Sequence, residues 1–477
     1  MGAGPAGLTA AWENVRHGGT SVVLEKDDVV GGIARTVQRD GYRFDIGGHR
    51  FFTKVREVEE LWHEVLAHDF IRVPRQSRIL YRGKFFSYPL KPVEAFFGLG
   101  PVESFLCALS FLSARLFPKR PEEDLESWVS NRFGARLFRI FFKTYTEKVW
   151  GVPCTEIKAE WAAQRIRGLS LFKAVWHAIR KDPTIKTLID EFDYPRLGPG
   201  QMWETFQANV EAAGSKVLLE HPVRRIAWSK GRGVEAIEAG GRGAGEAARF
   251  EGDAFLSSMP ITELVEALDP PAPPGVRAAA ARLRYRDFIC VALVFEGEGF
   301  FPDNWVYIHS PELKVGRVQN FNNWSKALLP RGGVTCLGLE YFCFDTDPVW
   351  KAADAELIAS AEREIRATSL VPPGAPLVQG AVVRMEKTYP MYDPGYGECV
   401  EAVRRFVEAE LPNLQLVGRN GMHRYNNQDH AMLTAMYAVR NLYGESHDLW
   451  TVNVDDDYHE ETRETRPQRR ERTAASR

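Results

Sequence analysis

Hydrophobic positions along the chain change period several times. Residues 5–17 carry apolar side chains at helical spacing and end at Gly18-Gly19, and residues 21–24 (Ser-Val-Val-Leu) form a β-branched run that predicts a short buried strand. Residues 50–70 are mixed and helical in texture, whereas 79–86 predicts a hairpin that turns at Arg82-Gly83. From 92 to 189 the pattern becomes mainly helical with Pro and Gly punctuation, which reads as an inserted region. Beyond Gly198-Pro-Gly200 it predicts a helix and then strands at 216–219, 223–228 and 254–256. Residues 285–345 are strand-rich, with runs at 288–295 and 333–340, and predict an antiparallel sheet walling a cavity. A last strand at 414–417 leads through Gly418-Arg-Asn-Gly421 into a helix over about 429–442. Residues 460–477 are charged and poor in apolar side chains, the composition of a disordered tail.

Length turns this pattern into an architecture. A chain of 477 residues exceeds what one core supports, so two units are expected. The reading is α/β: a nucleotide-binding unit from 1–75, 198–275 and 410–445, a substrate unit from 76–197 and 276–409, and an extension over 446–477. With 44% apolar and 26% charged residues the composition is that of a globular protein, and a net charge of −2 gives no reason to expect a nucleic-acid partner. Six cysteines without a C-x-x-C pair disfavour a zinc site or a disulfide framework. A reducing cytoplasm fits, with the inner face of the membrane as the alternative. The most apolar stretch, 96–117, is interrupted by Glu103 and Arg115. Its plain reading is a buried or amphipathic helix of the substrate unit, and its sharper reading a segment that dips into a membrane surface.

Chemistry enters at the first turn. Gly2, Gly4 and Gly7, with Pro5 and Ala6 between them, match G-x-G-x-x-G, whose glycines permit a tight turn, close approach to a pyrophosphate and close helix–strand packing. Glu25, at the end of the following strand and next to Lys26, is placed to accept hydrogen bonds from adenosine ribose hydroxyls. Gly31-Gly32 and Arg35 suit a second turn and a cation beside the pyrophosphate. Such a loop should follow a central parallel strand, yet only Met1 precedes it. The expectation is therefore that the true reading frame starts upstream, a GTG valine codon of that strand being read as Met1.

GAGPAGLTAA, LEKDDVVGGIARTV and GYRFDIGGH resemble the flavin-containing amine oxidase and protoporphyrinogen oxidase group. The segments 144–156 and 418–429 are similar to UDP-galactopyranose mutase. The resemblance spans Gly2 to about Asp455 and implies a Rossmann-like, glutathione-reductase-type domain with non-covalent FAD. It further implies that Gly2, Gly4, Gly7, Glu25, Gly32 and Arg35 meet the ADP half, that Val223 meets the adenine side, and that Gly418, Asp429 and His430 approach the flavin. Gly48 and His49 would line the flavin face. Arg317 aligns with a mutase arginine that holds a nucleotide diphosphate, Tyr425 with a tyrosine beside it, and Arg165 or Arg167 with a second arginine. Asn427 replaces a mutase aspartate, Phe52 a histidine, and Asp347-Pro-Val-Trp350 a tyrosine pair. These departures favour an FAD-dependent oxidoreductase, with hydride passing from a small-molecule substrate to the flavin. The alternatives are a mutase-like enzyme acting without net redox on a nucleotide- or lipid-linked sugar, and a flavin-stabilised binding protein.

Overall fold

The computed structural model describes residues 1–159, 191–240 and 247–453. Helix Pro5–Arg16 leads into strand Val22–Leu24, which pairs in parallel with Lys216–Leu218; a second parallel pair joins Phe255–Ser257 to Leu414–Leu416. Residues 1–3 run between the two pairs: the Gly2 N–H donates to the Leu24 carbonyl at 2.7 Å, and the Ser258 N–H to that of Met1 at 3.0 Å. The first helix is small on both flanks, and this lets it lie between two cores. Ala6 and Ala10 pack with Ile226, Leu264 and Met422, while Leu8 and Ala11 pack with Trp62, Trp203 and Met436. Helices Gly200–Ala212 and Gln428–Leu442 supply much of the second core.

The large sheet has seven strands in the spatial order Leu377–Pro390, Tyr285–Glu296, Val334–Cys343, Arg317–Asn320, Trp305–Ile308, Ser77–Tyr81, Lys84–Ser87. All neighbours are antiparallel except Trp305–Ile308 with Ser77–Tyr81. Strand Tyr285–Glu296 is buried along eleven of its twelve residues because both faces are covered, which explains its near-continuous apolar run. A smaller sheet orders Ala248–Phe250, Gly233–Ala239, Val223–Ser229 and Leu268–Asp269.

The predicted hairpin forms at Arg82-Gly83, where both residues take positive φ. Several strands were not visible in the pattern. Leu377–Pro390 is mostly half-buried, and its Gly380, Arg384, Glu386 and Lys387 break the apolar period, so its place at the sheet edge comes from pairing with Tyr285–Glu296. Phe70–Pro74 pairs with Glu191–Pro195 across 120 residues of chain, a contact no local signal announces. The helical expectation for 92–189 is met over helices Pro92–Leu99, Pro101–Leu116, Leu125–Phe133 and Thr144–Trp150; residues 160–189 and the expected tail at 460–477 lie outside the described residues.

Candidate functional site

A cleft begins at the fingerprint and runs inward between the two parallel strand pairs and the large sheet. The three glycines differ in what surrounds them. A Cβ on Gly7 would lie 1.8 Å from the Gly2 carbonyl oxygen, and one on Gly2, where φ is +96°, would meet Ser258 Oγ at 2.4 Å. A Cβ on Gly4 would find nothing nearer than Gly32 at 3.9 Å, so this position leaves room for a ligand. Gly4 is also the N-cap of the first helix and no side chain caps that end, which leaves its amides and dipole to an anion. Glu25 closes this outer end: Oε2 accepts from the Ala3 N–H at 2.6 Å and Oε1 from the Asp27 N–H at 3.0 Å. A carboxylate has about four acceptor positions, so capacity remains for ribose hydroxyls. The donor set, the open face at Gly4 and the ribose-facing carboxylate together fit an FAD.

Pro5, Ala6, Lys26, Gly32 and Val223 also line the cleft. Arg35 does not; it is ion-paired to Asp27 at 2.8 Å, and Asp27 presents the charge to the cleft. At the inner end stand Gly418, Arg419, Asn426, Asn427 and Gln428. Asn427 is the N-cap of helix Gln428–Leu442, its N–H donating to His430 Nδ1 at 3.3 Å. Asp429 and His430 are buried in the first turn of that helix and do not line the cleft.

His49 lies at this inner end, and beyond it the cleft meets the large sheet. Burial, together with the charges of Arg419 and Arg317, drives the His49 pKa down to about 3, so its imidazole is neutral near pH 7. Arg317 is opposite Glu340 across the sheet and donates from Nε to Glu340 Oε2 at 2.7 Å. Burial is the largest influence and opposes the guanidinium charge, but the Glu340 carboxylate together with Tyr145, Tyr307 and Tyr389 more than offsets it and raises the pKa. Gln319 Nε2 holds the other carboxylate oxygen at 2.8 Å. A Cβ on Gly48 would lie 3.0 Å from that Nε2, so this glycine lets the loop press onto the sheet.

Aromatic rings gather around Arg317 behind the inner end of the cleft. Tyr389 stacks on Tyr425 with centroids 5.6 Å apart, and Arg419 lies over both rings. Tyr145 stands edge-on to Tyr307 at 5.2 Å and stacks on His309 at 5.1 Å. His49 thus lines the inner end of the cleft, whereas Arg317 and Tyr425 do not line it but lie just behind it, Arg317 within electrostatic reach of His49 and Tyr425 under Arg419. Arg165 and Arg167 lie outside the described residues.

Tyr145, Tyr307, Glu340, Tyr389 and Arg419 were not singled out from sequence. Tyr145 and Arg419 fall within the quoted 144–156 and 418–429 segments, and Tyr389 within an aromatic run, but Glu340 and Tyr307 carry no local signal. In a separate hollow of about 290 Å³, lined by Lys148, Arg286 and Lys314 among others, Lys148 and Arg286 are already engaged. Lys148 Nζ donates to three carbonyls, of Ile308, Ser310 and Val315, and Arg286 to those of Lys148, Val149 and Phe342.

Comparison with known proteins gives the family and the fold. The family model described as flavin containing amine oxidoreductase matches residues 5–367. A 15-cis-phytoene desaturase from Synechococcus elongatus is 24% identical over 286 residues, 55% of this chain and 57% of that protein, so the match spans just over half of the relative. Among solved structures, reduced UDP-galactopyranose mutase superposes with a TM-score of 0.82 at 21% identity, covering 95% of this chain and 96% of that one. A candidate protoporphyrinogen oxidase from Exiguobacterium sp. 255-15 gives 0.69 at 18% identity, covering 92% and 97%. At these identities the two structures speak for the fold.

Proposed function

The chain belongs to the flavin containing amine oxidoreductase family, an FAD-dependent group of enzymes, and from that premise we propose that it oxidises a small molecule bearing an anionic group, held in the tyrosine-lined chamber. The observation that carries this reading is Arg317, kept charged by Glu340 inside a box of tyrosines beside His49. In this reading the parallel layer and its fingerprint helix form the glutathione-reductase-type half, and the large sheet forms the substrate half.

FAD, when bound, supplies a two-electron acceptor for hydride. The protein supplies position and electrostatics. Arg317 orients the anionic group, and the stacked pair Tyr389 and Tyr425 offers a flat wall for the substrate. His49, neutral across the working pH range, donates or accepts a hydrogen bond without carrying charge, so it is a poor general base near neutrality. The start of helix Gln428–Leu442 points its positive end into the inner cleft through Asn427 and Gln428, where it favours negative charge on the cofactor.

A second reading, mutase-like turnover of a nucleotide- or lipid-linked sugar without net redox, is supported by the close superposition on UDP-galactopyranose mutase together with Arg317 and Tyr425. Anaerobic mixing separates the two. An oxidase or dehydrogenase substrate bleaches the oxidised flavin band stoichiometrically. A mutase substrate given to the pre-reduced protein is isomerised while the flavin ends as reduced as it began. If no anionic candidate changes either the spectrum or its own structure, the role given to Arg317 is wrong.

A further inference from the structure

Among the described residues, thirteen large hydrophobic side chains are exposed, and eight of them lie between Phe96 and Phe117. On helix Pro101–Leu116 the exposed ones are Val102, Phe105, Leu109, Leu112 and Leu116, at steps of three and four, which is one continuous stripe along one face. The side of this helix that turns inward is anchored by Ser104 and Cys107, both small. The helix is thus amphipathic in the reverse sense, its apolar face outward. Phe96 and Phe97 on helix Pro92–Leu99 and Phe117 at the far end extend the face; Phe97 and Phe117 are 76% and 79% exposed. An apolar surface of this length marks a contact with something other than water.

We propose that this face docks on an anionic lipid bilayer, lying in its surface plane. Three observations select that occupant. Sixteen helical residues extend about 24 Å, short of the roughly 30 Å hydrocarbon core, and no helix among the described residues is long and apolar enough to cross a membrane. The charge along the chain around the stripe is basic up to position 120; in the acidic run that follows, Glu122 is held by Asn131 and Arg132 and Asp124 caps the next helix. Between positions 84 and 120 there are five cations, Lys84, Lys91, Arg115, Lys119 and Arg120, against two carboxylates. Both carboxylates are engaged inside the protein: Glu94 accepts from the Ser87 N–H and hydroxyl, and Glu103 from Arg136. Lys84 donates to the Gly98 carbonyl and Lys119 is shared with Glu126, which leaves Lys91, Arg115 and Arg120, all exposed, as the basic rim.

The third observation is continuity with the chamber. A Cβ on Gly98 would meet the Phe86 ring at 2.5 Å, so the exposed helices press directly on strand Lys84–Ser87. Just past that strand, Tyr88 is 42% exposed and its ring lies 4.8 Å from Tyr307. Tyr307 is in turn paired across the sheet with Arg317 and stands 5.2 Å from Tyr145. Aromatic contacts therefore join the edge of the apolar face to the residues around Arg317.

The test is co-sedimentation of the full-length, flavin-loaded protein with vesicles of phosphatidylcholine alone or containing about one-third phosphatidylglycerol. Wild type is expected to partition onto the anionic vesicles and more weakly onto the neutral ones. The combined variant Phe97→Ser, Phe105→Ser, Leu112→Ser should lose at least about tenfold of that binding. Lys91→Gln with Arg120→Gln should lose only the preference for anionic vesicles. Flavin absorbance and melting temperature, unchanged in both variants, certify that each is folded. Failure of the wild type to bind either vesicle, or equal binding by the triple-serine variant, overturns the proposal. So does a concentration-dependent dimer abolished by the same three substitutions, which would make a second copy of the chain the occupant.

Discussion

The two ends of the cleft are made of different material. At the outer end the cleft is lined by backbone amides, the open side of Gly4 and one strand-end carboxylate, all within the first twenty-five residues. At and behind the inner end the material is side chains: His49 from a loop, Tyr145 from a helix, Tyr307, Arg317, Glu340 and Tyr389 from four strands, and Tyr425 from the loop before the last helix. A backbone site tolerates change in whatever side chains surround it but none at its glycines. A side-chain site keeps its scaffold when one member changes and loses what it recognises. Cofactor binding and substrate selection should therefore come apart under mutation.

The largest effect is expected at Gly7. Gly7→Val drives a branched side chain onto the Gly2 carbonyl and should cost about 5 kcal/mol of stability, with the protein purified colourless; flavin absorbance and thermal melting read both. Next, Glu340→Ala strands the buried Arg317 charge. A loss of about 3–5 kcal/mol is expected, and the protein that remains folded should still take up flavin at one equivalent. Loss of flavin in step with stability would erase the distinction between the two ends.

Asp45 tests the seam between them. Its carboxylate accepts from Thr36 and Tyr194, and its carbonyl oxygen receives the Cys290 thiol of the large sheet. Burial pushes its pKa up to about 7, against hydrogen bonds that pull it down. A raised folded-state pKa gives stability that is fully present below about pH 4 and is lost as pH rises through about 7. Relative to Asp45→Asn, the wild type should lose up to about 4 kcal/mol across that window and then level off, as measured by denaturant titration at fixed pH values. The neutral buried histidines, His49, His309 and His423, push the opposite way below pH 6.5, but they are common to both proteins and cancel in the difference. A difference curve that rises with pH would refute a protonated Asp45.

The smallest effect belongs to Glu25→Gln. One acceptor oxygen is kept and the charge is removed, so FAD affinity should fall by about tenfold, the worth of a charge-assisted hydrogen bond, and the flavin-free protein should lose only about 1–2 kcal/mol for the one backbone N–H left facing the amide NH2.

The same contrast decides what the amino-acid order could reveal. The fingerprint, strand Val22–Leu24, Glu25 at its end and helix Gln428–Leu442 are local objects, each legible within some twenty residues, because a turn and a capped helix are specified by neighbours. The chamber is not local. Arg317 was found through an aligned segment, but its partner Glu340 becomes its neighbour only when Val334–Cys343 pairs with Arg317–Asn320 in one register. Tyr307 arrives through the next strand and Tyr389 through the strand at the far edge, and sheet order is set by long-range pairing that periodicity does not encode. Helix Pro101–Leu116 shows the converse limit. Its apolar spacing was plain, yet spacing alone does not say whether the stripe faces the core or the outside.

The most direct measurement is FAD titration of flavin-free wild type, Gly4→Val and Arg317→Ala, followed by quenching of flavin fluorescence. A backbone cradle at the outer end and a substrate clamp at the inner one predict saturation at one equivalent for wild type and Arg317→Ala, with affinities within about twofold, and no saturation for Gly4→Val. Wild type that takes up no FAD, or Arg317→Ala that fails as completely as Gly4→Val, would contradict it.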